Sequence, residues 1–243
     1  MGEVTLKSLQ ERFARPATLI EVLKGSPSPN PPVSWFGRVM LRLPGESWPA
    51  DAGGEMLPVV QLDLREAPYV PRALHDIEII AVFFGRGALP SDTENGAGWL
   101  VRAYPDAGAL CSLDVPEAIV HAVPEWSGSD QGIRPRPIAY RAIERDFPCW
   151  DDVAMEMEIP AEIEESWEDH FGAAGGCKLG GWPSLIQSEI FWAPNNEHPS
   201  NPEFVLQIES VPQAHIDFGG AVCYVGRGTG DTRDTWTFSW QAY

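Results

Sequence analysis

Cys177-Lys178-Leu179-Gly180-Gly181-Trp182-Pro183-Ser184-Leu185-Ile186-Gln187 is the stretch on which the reading of this chain turns. Two adjacent glycines permit backbone angles that a Cβ forbids, the proline fixes the next φ, and Leu185-Ile186 has the apolar character of a strand entering a core. The expectation is a tight, pre-set turn feeding a buried segment. No base, metal pair or phosphate-sized glycine loop accompanies it, so the stretch points to an architecture and not to a reaction.

Upstream, residues 144–169 carry eleven carboxylates and one basic side chain, Arg145. Pro160 is suited to the first turn of a helix, and over 161–171 the spacing puts Ile163, Trp167 and Phe171 on one side and Glu162, Glu165 and Asp169 on the other. That predicts one amphipathic helix with an acidic outer face, ended by the glycines at 172–176.

Further out on both sides the texture is that of strands, and it repeats. Val59-Val60-Gln61-Leu62-Asp63 parallels Val205-Leu206-Gln207-Ile208-Glu209, and Ala81 through Gly87 parallels Val222 through Gly228. Trp99 to Tyr104 parallels Trp236 to Tyr243 with two extra residues in the second copy. The predicted fold is therefore α+β and predominantly antiparallel β: an internally duplicated pair of sheet units with pseudo-twofold symmetry, apolar faces buried against each other, and a few flanking helices. The expected boundaries are a helical segment and proline-rich linker at 1–32, a first β repeat at 33–143, an acidic helical connector at 144–176 and a second repeat at 177–243, all within one compact unit. At the N-terminus, Leu6, Leu9, Phe13, Leu19, Ile20 and Leu23 are spaced as a helical stripe interrupted at Pro16, which predicts two short helices or one kinked helix.

Hydrophobic residues make up 44% of the 243 and aromatics 10%, with ten tryptophans, so the chain holds enough apolar area for a large core. The formal net charge of −18, from 35 acids and 17 bases, repels a phosphate backbone or an anionic membrane and favours encounter with a basic protein. Four dispersed cysteines, Cys111, Cys149, Cys177 and Cys223, form neither a zinc framework nor a dense disulfide scaffold. Met1-Gly2-Glu3-Val4-Thr5-Leu6 lacks a signal pattern and no apolar run is long enough to cross a bilayer. The expectation is a cytoplasmic protein with reduced thiols that uses no metal or other cofactor.

Among residue patterns with chemical potential, Cys177 beside Lys178 suggests an activated thiol, but no histidine is placed by the sequence to act as its base. His75, His121, His170, His198 and His215 lack metal-ligand spacing. Gly226-Arg227-Gly228-Thr229-Gly230 leads into a charged turn and a strand where a phosphate loop would lead into a helix, so it reads as a hairpin connection. The most suggestive pattern is Gln61 with Asp63 and Gln207 with Glu209. Strand alternation puts each amide and carboxylate on one face, and under the pseudo-twofold the pairs would line a shared groove for a basic peptide.

Lys178-Leu179-Gly180-Gly181-Trp182-Pro183 resembles the lysine, apolar, glycine, glycine, aromatic, proline signature of the YwqG-like family, domain of unknown function 1963. The segments Leu57 through Leu64, Phe204 through Glu209, and Trp240-Gln241-Ala242-Tyr243 extend the similarity from about Trp35 to the C-terminus. Members often have histidine where this chain has Cys177. More distantly the motif is similar to that of programmed cell death protein two and its relatives, and the resemblance implies escort of a ribosomal protein during assembly. Taken with the acidity, the leading expectation is a non-enzymatic interaction or escort module for a basic partner. Its candidate contacts are Lys178, Gly180, Gly181, Trp182, Gln61, Asp63, Gln207 and Glu209, with the acidic segment beside them. A toxin-neutralising protein and a hydrolase with an acidic pair in the cleft between the repeats are the alternatives.

Overall fold

A computed structural model describes residues 4–24, 33–91, 93–153, 159–190 and 198–243. In chain order the first part contains α1 (Leu6–Phe13), β1 (Arg15–Val22), β2 (Trp35–Phe36), β3 (Leu41–Arg42), β4 (Ala50–Asp51), β5 (Gly54–Glu55), β6 (Leu57–Asp63), β7 (Ile79–Phe84), β8 (Trp99–Tyr104) and β9 (Cys111–Ser112). The remainder contains α2 (Glu117–Val120), β10 (Arg136–Asp146), α3 (Ala161–Glu164), α4 (Trp167–His170), β11 (Cys177–Gly180), β12 (Glu203–Ile208), β13 (Val222–Arg227) and β14 (Trp236–Gln241). Antiparallel β structure dominates, as the sequence predicts.

Ten strands form one sheet in the order β14-β13-β12-β11-β1-β10-β2-β6-β7-β8. The order is the same from either edge: a three-strand meander, a short strand, then a long strand meeting its counterpart at β1–β10. In chain order each half runs long strand, short strand, meander, yet β1 docks on β11 and β10 docks on β2, so each long strand is lent to the other half. The halves are thus fused edge to edge through β1–β10, not stacked as two separate sheets. The sheet curls until its outer meanders meet: the Trp99 ring of β8 stacks on Phe238 of β14 at 5.3 Å between centroids, and Phe84 meets Phe238 edge-on at 5.2 Å.

The pairing registers repeat as well. Trp35 lies opposite Gln61 and Lys178 opposite Gln207. A register shift falls between Pro58 and Val60 in one meander and between Phe204 and Leu206 in the other. Phe84 faces Leu57 and Trp99, and Arg227 faces Glu203 and Trp236, so Phe84 and Arg227 hold corresponding places. The sequence comparison, which set Arg86 against Arg227, is therefore two residues out of step. The glycine-arginine-glycine likeness is local, whereas register is set by the ladder on both sides.

Alternation explains why β7 is buried throughout. Ile80, Val82 and Phe84 enter the large core inside the curl, and Ala81 and Phe83 enter a smaller one with Val39, Met56 and Leu113 on the other face. A third cluster, of Leu9, Phe13, Val153, Trp167, Phe171 and Trp182, lies under α1 and α4.

Four local expectations are corrected. Residues 15–22 are strand, not helix: Ala17, Thr18, Leu19 and Ile20 are all buried, which suits a strand covered on both faces, and β-branched Thr18, Ile20 and Val22 favour it. The single acidic helix is two one-turn helices, α3 and α4, broken at Glu165-Ser166, where the Ser166 hydroxyl bonds back to the Glu162 carbonyl. β10 runs across the expected boundary at 143/144, so the connector begins inside the central strand pair. Finally, the strand precedes the Gly180-Gly181 turn, and residues 184–187 are not a strand. The linker prolines at 27, 29, 31 and 32 and the acids at 156 and 158 lie outside the described residues.

Candidate functional site

β11 brings Lys178 under the sheet beside the end of β10. Its neighbours Cys177 and Leu179 face the large core, so by strand alternation Lys178 points the other way, toward the aromatic cluster under α1. There its Nζ donates to Asp146 Oδ2 at 2.9 Å, with both side chains at most 1% exposed. Asp146 Oδ2 also accepts the Trp182 amide at 2.8 Å, and Oδ1 accepts the Ala174 amide at 2.6 Å. Burial lowers the Lys178 pKa, and the Asp146 charge offsets part of that.

The glycines make this convergence geometrically possible. Gly180 and Gly181 have φ of +67° and +68°, the left-handed region, and they turn the backbone so that the Trp182 amide faces Asp146. A Cβ at Gly181 would collide with Asp146 Oδ2, and one at Gly180 with the Tyr69 ring. Trp182 then donates its indole N–H to the Phe13 carbonyl at 2.7 Å and meets the Phe13 ring edge-on. The motif is therefore a structural clasp that ties β11, β10 and α1 together. Lys178 is fully buried in this clasp, while Gly180, Gly181 and Trp182, though largely buried, show part of their surface to the cleft described below.

The expected groove of amides and carboxylates is corrected. Gln61 and Gln207 are both 0% exposed. Gln61 Oε1 accepts the Met40 and Leu41 amides, and its Nε2 donates to the Val33 carbonyl. Gln207 Oε1 accepts the Ser184 amide, and its Nε2 donates to the Gly176 carbonyl and Glu209 Oε1. Each side-chain amide pins the backbone both before and after the short strand beside it, because a buried glutamine must find partners and loop backbone supplies them. Asp63 forms a two-pronged bond with Arg65, and half-buried Glu209 accepts the Gly176 amide.

Cys177 is no nucleophile here. It is 5% exposed, its Sγ bonds to the Glu209 carbonyl, and burial pushes its pKa up to about 12. Among the described residues no group of histidine, cysteine or carboxylate side chains could hold a metal ion. No helix among them is long and apolar enough to cross a membrane.

What remains beside the clasp is a cleft of about 460 Å³. One side is Tyr69, Pro71 and Arg72, another the Gly180–Pro183 turn, and the far side Asn201 through Phe204, with Ile190 and Arg15 completing it. The Arg15 guanidinium lies over the Trp182 ring, 3.3 Å from its centroid. Asp152 also lines the cleft. It is 7% exposed, and its Oδ2 has no hydrogen-bond partner among the described residues. Burial pushes its pKa up to about 7, against a backbone hydrogen bond at Cys149 and the charges of Arg15 and Lys178. Two buried carboxylates thus lie near one buried ammonium: Asp146 takes the bond, and Asp152 is left over.

The sequence reading missed both aspartates as individuals. They belong to the acidic run taken as an exposed face, and only the apolar Phe147-Pro148-Cys149-Trp150 between them signals that this part turns inward. No family model matches the chain, and no curated protein is significantly similar to it.

Proposed function

We propose that this chain is a non-enzymatic binding module that receives a basic protein or peptide on an acidic surface and escorts it, working in the cytoplasm without a cofactor. The observation that carries the reading is the placement of charge. Glu162, Glu164, Glu165, Glu168 and Asp169 all stand exposed on the α3–α4 connector, and no lysine or arginine occurs between residues 159 and 177. Such a field speeds encounter with a cationic partner, repels nucleic acid and anionic lipid, and is screened by salt. The likeness of the Lys178 to Pro183 motif to YwqG-like proteins belongs to this reading, as does the interpretation of the repeated pairing scheme as one copied unit. Neutralisation of a basic toxin is a special case of it.

The test is fluorescence anisotropy with a labelled lysine- and arginine-rich peptide. Binding should weaken roughly tenfold between about 50 and 200 mM salt. It should be lost in the triple variant Glu162→Lys, Glu165→Lys, Glu168→Lys. Binding that ignores both salt and the triple variant refutes the reading. A hydrolase using an acidic pair is the second reading, and one observation favours it: Asp152 is held near neutrality in a cleft that Glu203 also lines. Turnover of an ester, amide or glycoside that Asp152→Asn abolishes would establish it.

A further inference from the structure

We propose that the cleft beside the Gly180-Gly181 turn is a pocket for the terminal cation of one lysine or arginine side chain, with Asp152 as its anionic contact. The proposal rests on the binding-module reading and names the part of the basic partner that is gripped.

Asp152 Oδ2 carries the argument. It is a buried acceptor lining an open cleft, and no described group bonds to it. Buried acceptors in folded proteins are almost always paired, so an unpaired one on a residue that lines a cavity marks the place of an absent donor. The neighbouring cations do not fill that place. Lys178 bonds to Asp146, and Arg15 lies on the Trp182 ring, so both act on Asp152 through their fields.

The walls define the donor. Half-buried Tyr69 and Phe204 offer aromatic surface for an aliphatic stem, and exposed Glu203 adds a second negative charge. The volume suits a side chain with its adjoining backbone, not a folded element. Arg15 and Arg72 line the cleft too, so it admits a single added cation and disfavours a run of them.

Binding a cation here requires the Asp152 carboxylate, so any proton on it must leave. The groups that bear on this proton are the Cys149 backbone, Arg15 from β1, Lys178 from β11 and Asp151 on its own turn, with the Cys149 thiol and Tyr224 of β13 nearby and Arg72 and Glu203 lining the same cleft. Affinity should therefore rise with pH through neutrality and level off above it.

The experiment is calorimetric titration of the full chain with N-acetyl-argininamide and N-acetyl-lysinamide, using uncharged N-acetyl-norleucinamide as the control. The cationic amides should bind at least about tenfold tighter than the control, and Asp152→Asn should remove that advantage. Their affinity for the wild-type chain should fall from about pH 8 to about pH 6. Should Asp152→Asn fail to fold, the wild-type pH profile and the rim variant Glu203→Gln, expected to weaken binding about threefold, still decide the matter. Equal affinity for norleucinamide, or affinity flat across neutrality, overturns the proposal. If the amides do not bind but the basic peptide binds and responds to the triple lysine variant, the cleft proposal falls and the module reading stands. If the amides bind as described but the peptide ignores the triple variant, the acidic-surface reading falls and the cleft stands as a site for one cation.

Discussion

Replacing Lys178 by methionine should be among the most damaging single changes available in this chain. Methionine keeps the length and apolar stem of lysine but removes the ammonium, leaving Asp146 charged at 1% exposure. Breaking a buried pair on one side costs about 3–5 kcal/mol, because the remaining charge has lost its partner and cannot recover water. Here the amides of Ala174 and Trp182 still bond to Asp146, so the lower part of that range applies, about 3–4 kcal/mol. For a chain of this size each kcal/mol is worth roughly 2–4 °C, which places the fall in Tm at about 6–16 °C. The assay is urea unfolding followed by tryptophan fluorescence, with the double-mutant cycle Lys178→Met and Asp146→Asn. Asparagine retains an acceptor for one of the two amides, and in the double variant no unpaired charge remains. The double variant should therefore lose less than the sum of the singles, by about 2–3 kcal/mol. A Lys178→Met cost below about 1 kcal/mol, or singles additive to within about 0.5 kcal/mol, would refute the view of the motif as a clasp built around this pair.

Two further outcomes follow from the same region. Gly181→Ala combines a left-handed φ of +68° with a Cβ driven into Asp146 Oδ2, and should cost about 2–4 kcal/mol; Gly219→Ala has φ +64° but nothing within 4 Å, and should cost about 1 kcal/mol, so equal urea midpoints for the two would contradict the geometry. Asp152 has a folded pKa of about 7 against about 3.9 unfolded, so between those values the folded state binds the extra proton and stability falls as pH rises. Its share of that loss is about 4 kcal/mol, complete above pH 7, and Asp152→Asn should remove it; parallel pH–stability curves for wild type and variant would show that Asp152 titrates normally.

Apolar runs bounded by glycine and proline announced β6, β7, β8, β12, β13 and β14, because strand period and turn chemistry are local properties. The same local reasoning misread residues 15–22: an eight-residue run with Ala17, Leu19 and Ile20 fits a helical stripe and a doubly covered strand equally well. The repeat identifies Gln61 and Gln207 as corresponding residues, but strand alternation assigns them to an open groove. Their burial depends on loops at Val33, Met40, Gly176 and Ser184 folding back over them, which alternation along a strand does not describe.

By itself the sequence determined that the chain is mostly antiparallel, that its two meanders resemble each other, that the net charge is strongly negative, and that a glycine-glycine-tryptophan-proline stretch makes a tight turn. Each of these is written in neighbouring residues or in sums over all of them. Only the tertiary structure decided that β1 and β10 are exchanged between the halves, that Lys178 bonds to Asp146 and not to Asp152, and that one carboxylate oxygen in an acidic run, Asp152 Oδ2, is buried with no hydrogen-bond partner among the described residues. Those facts depend on which of several like charges comes within 3 Å of one ammonium once the sheet has curled, and residues 32 positions apart carry no local mark of that meeting.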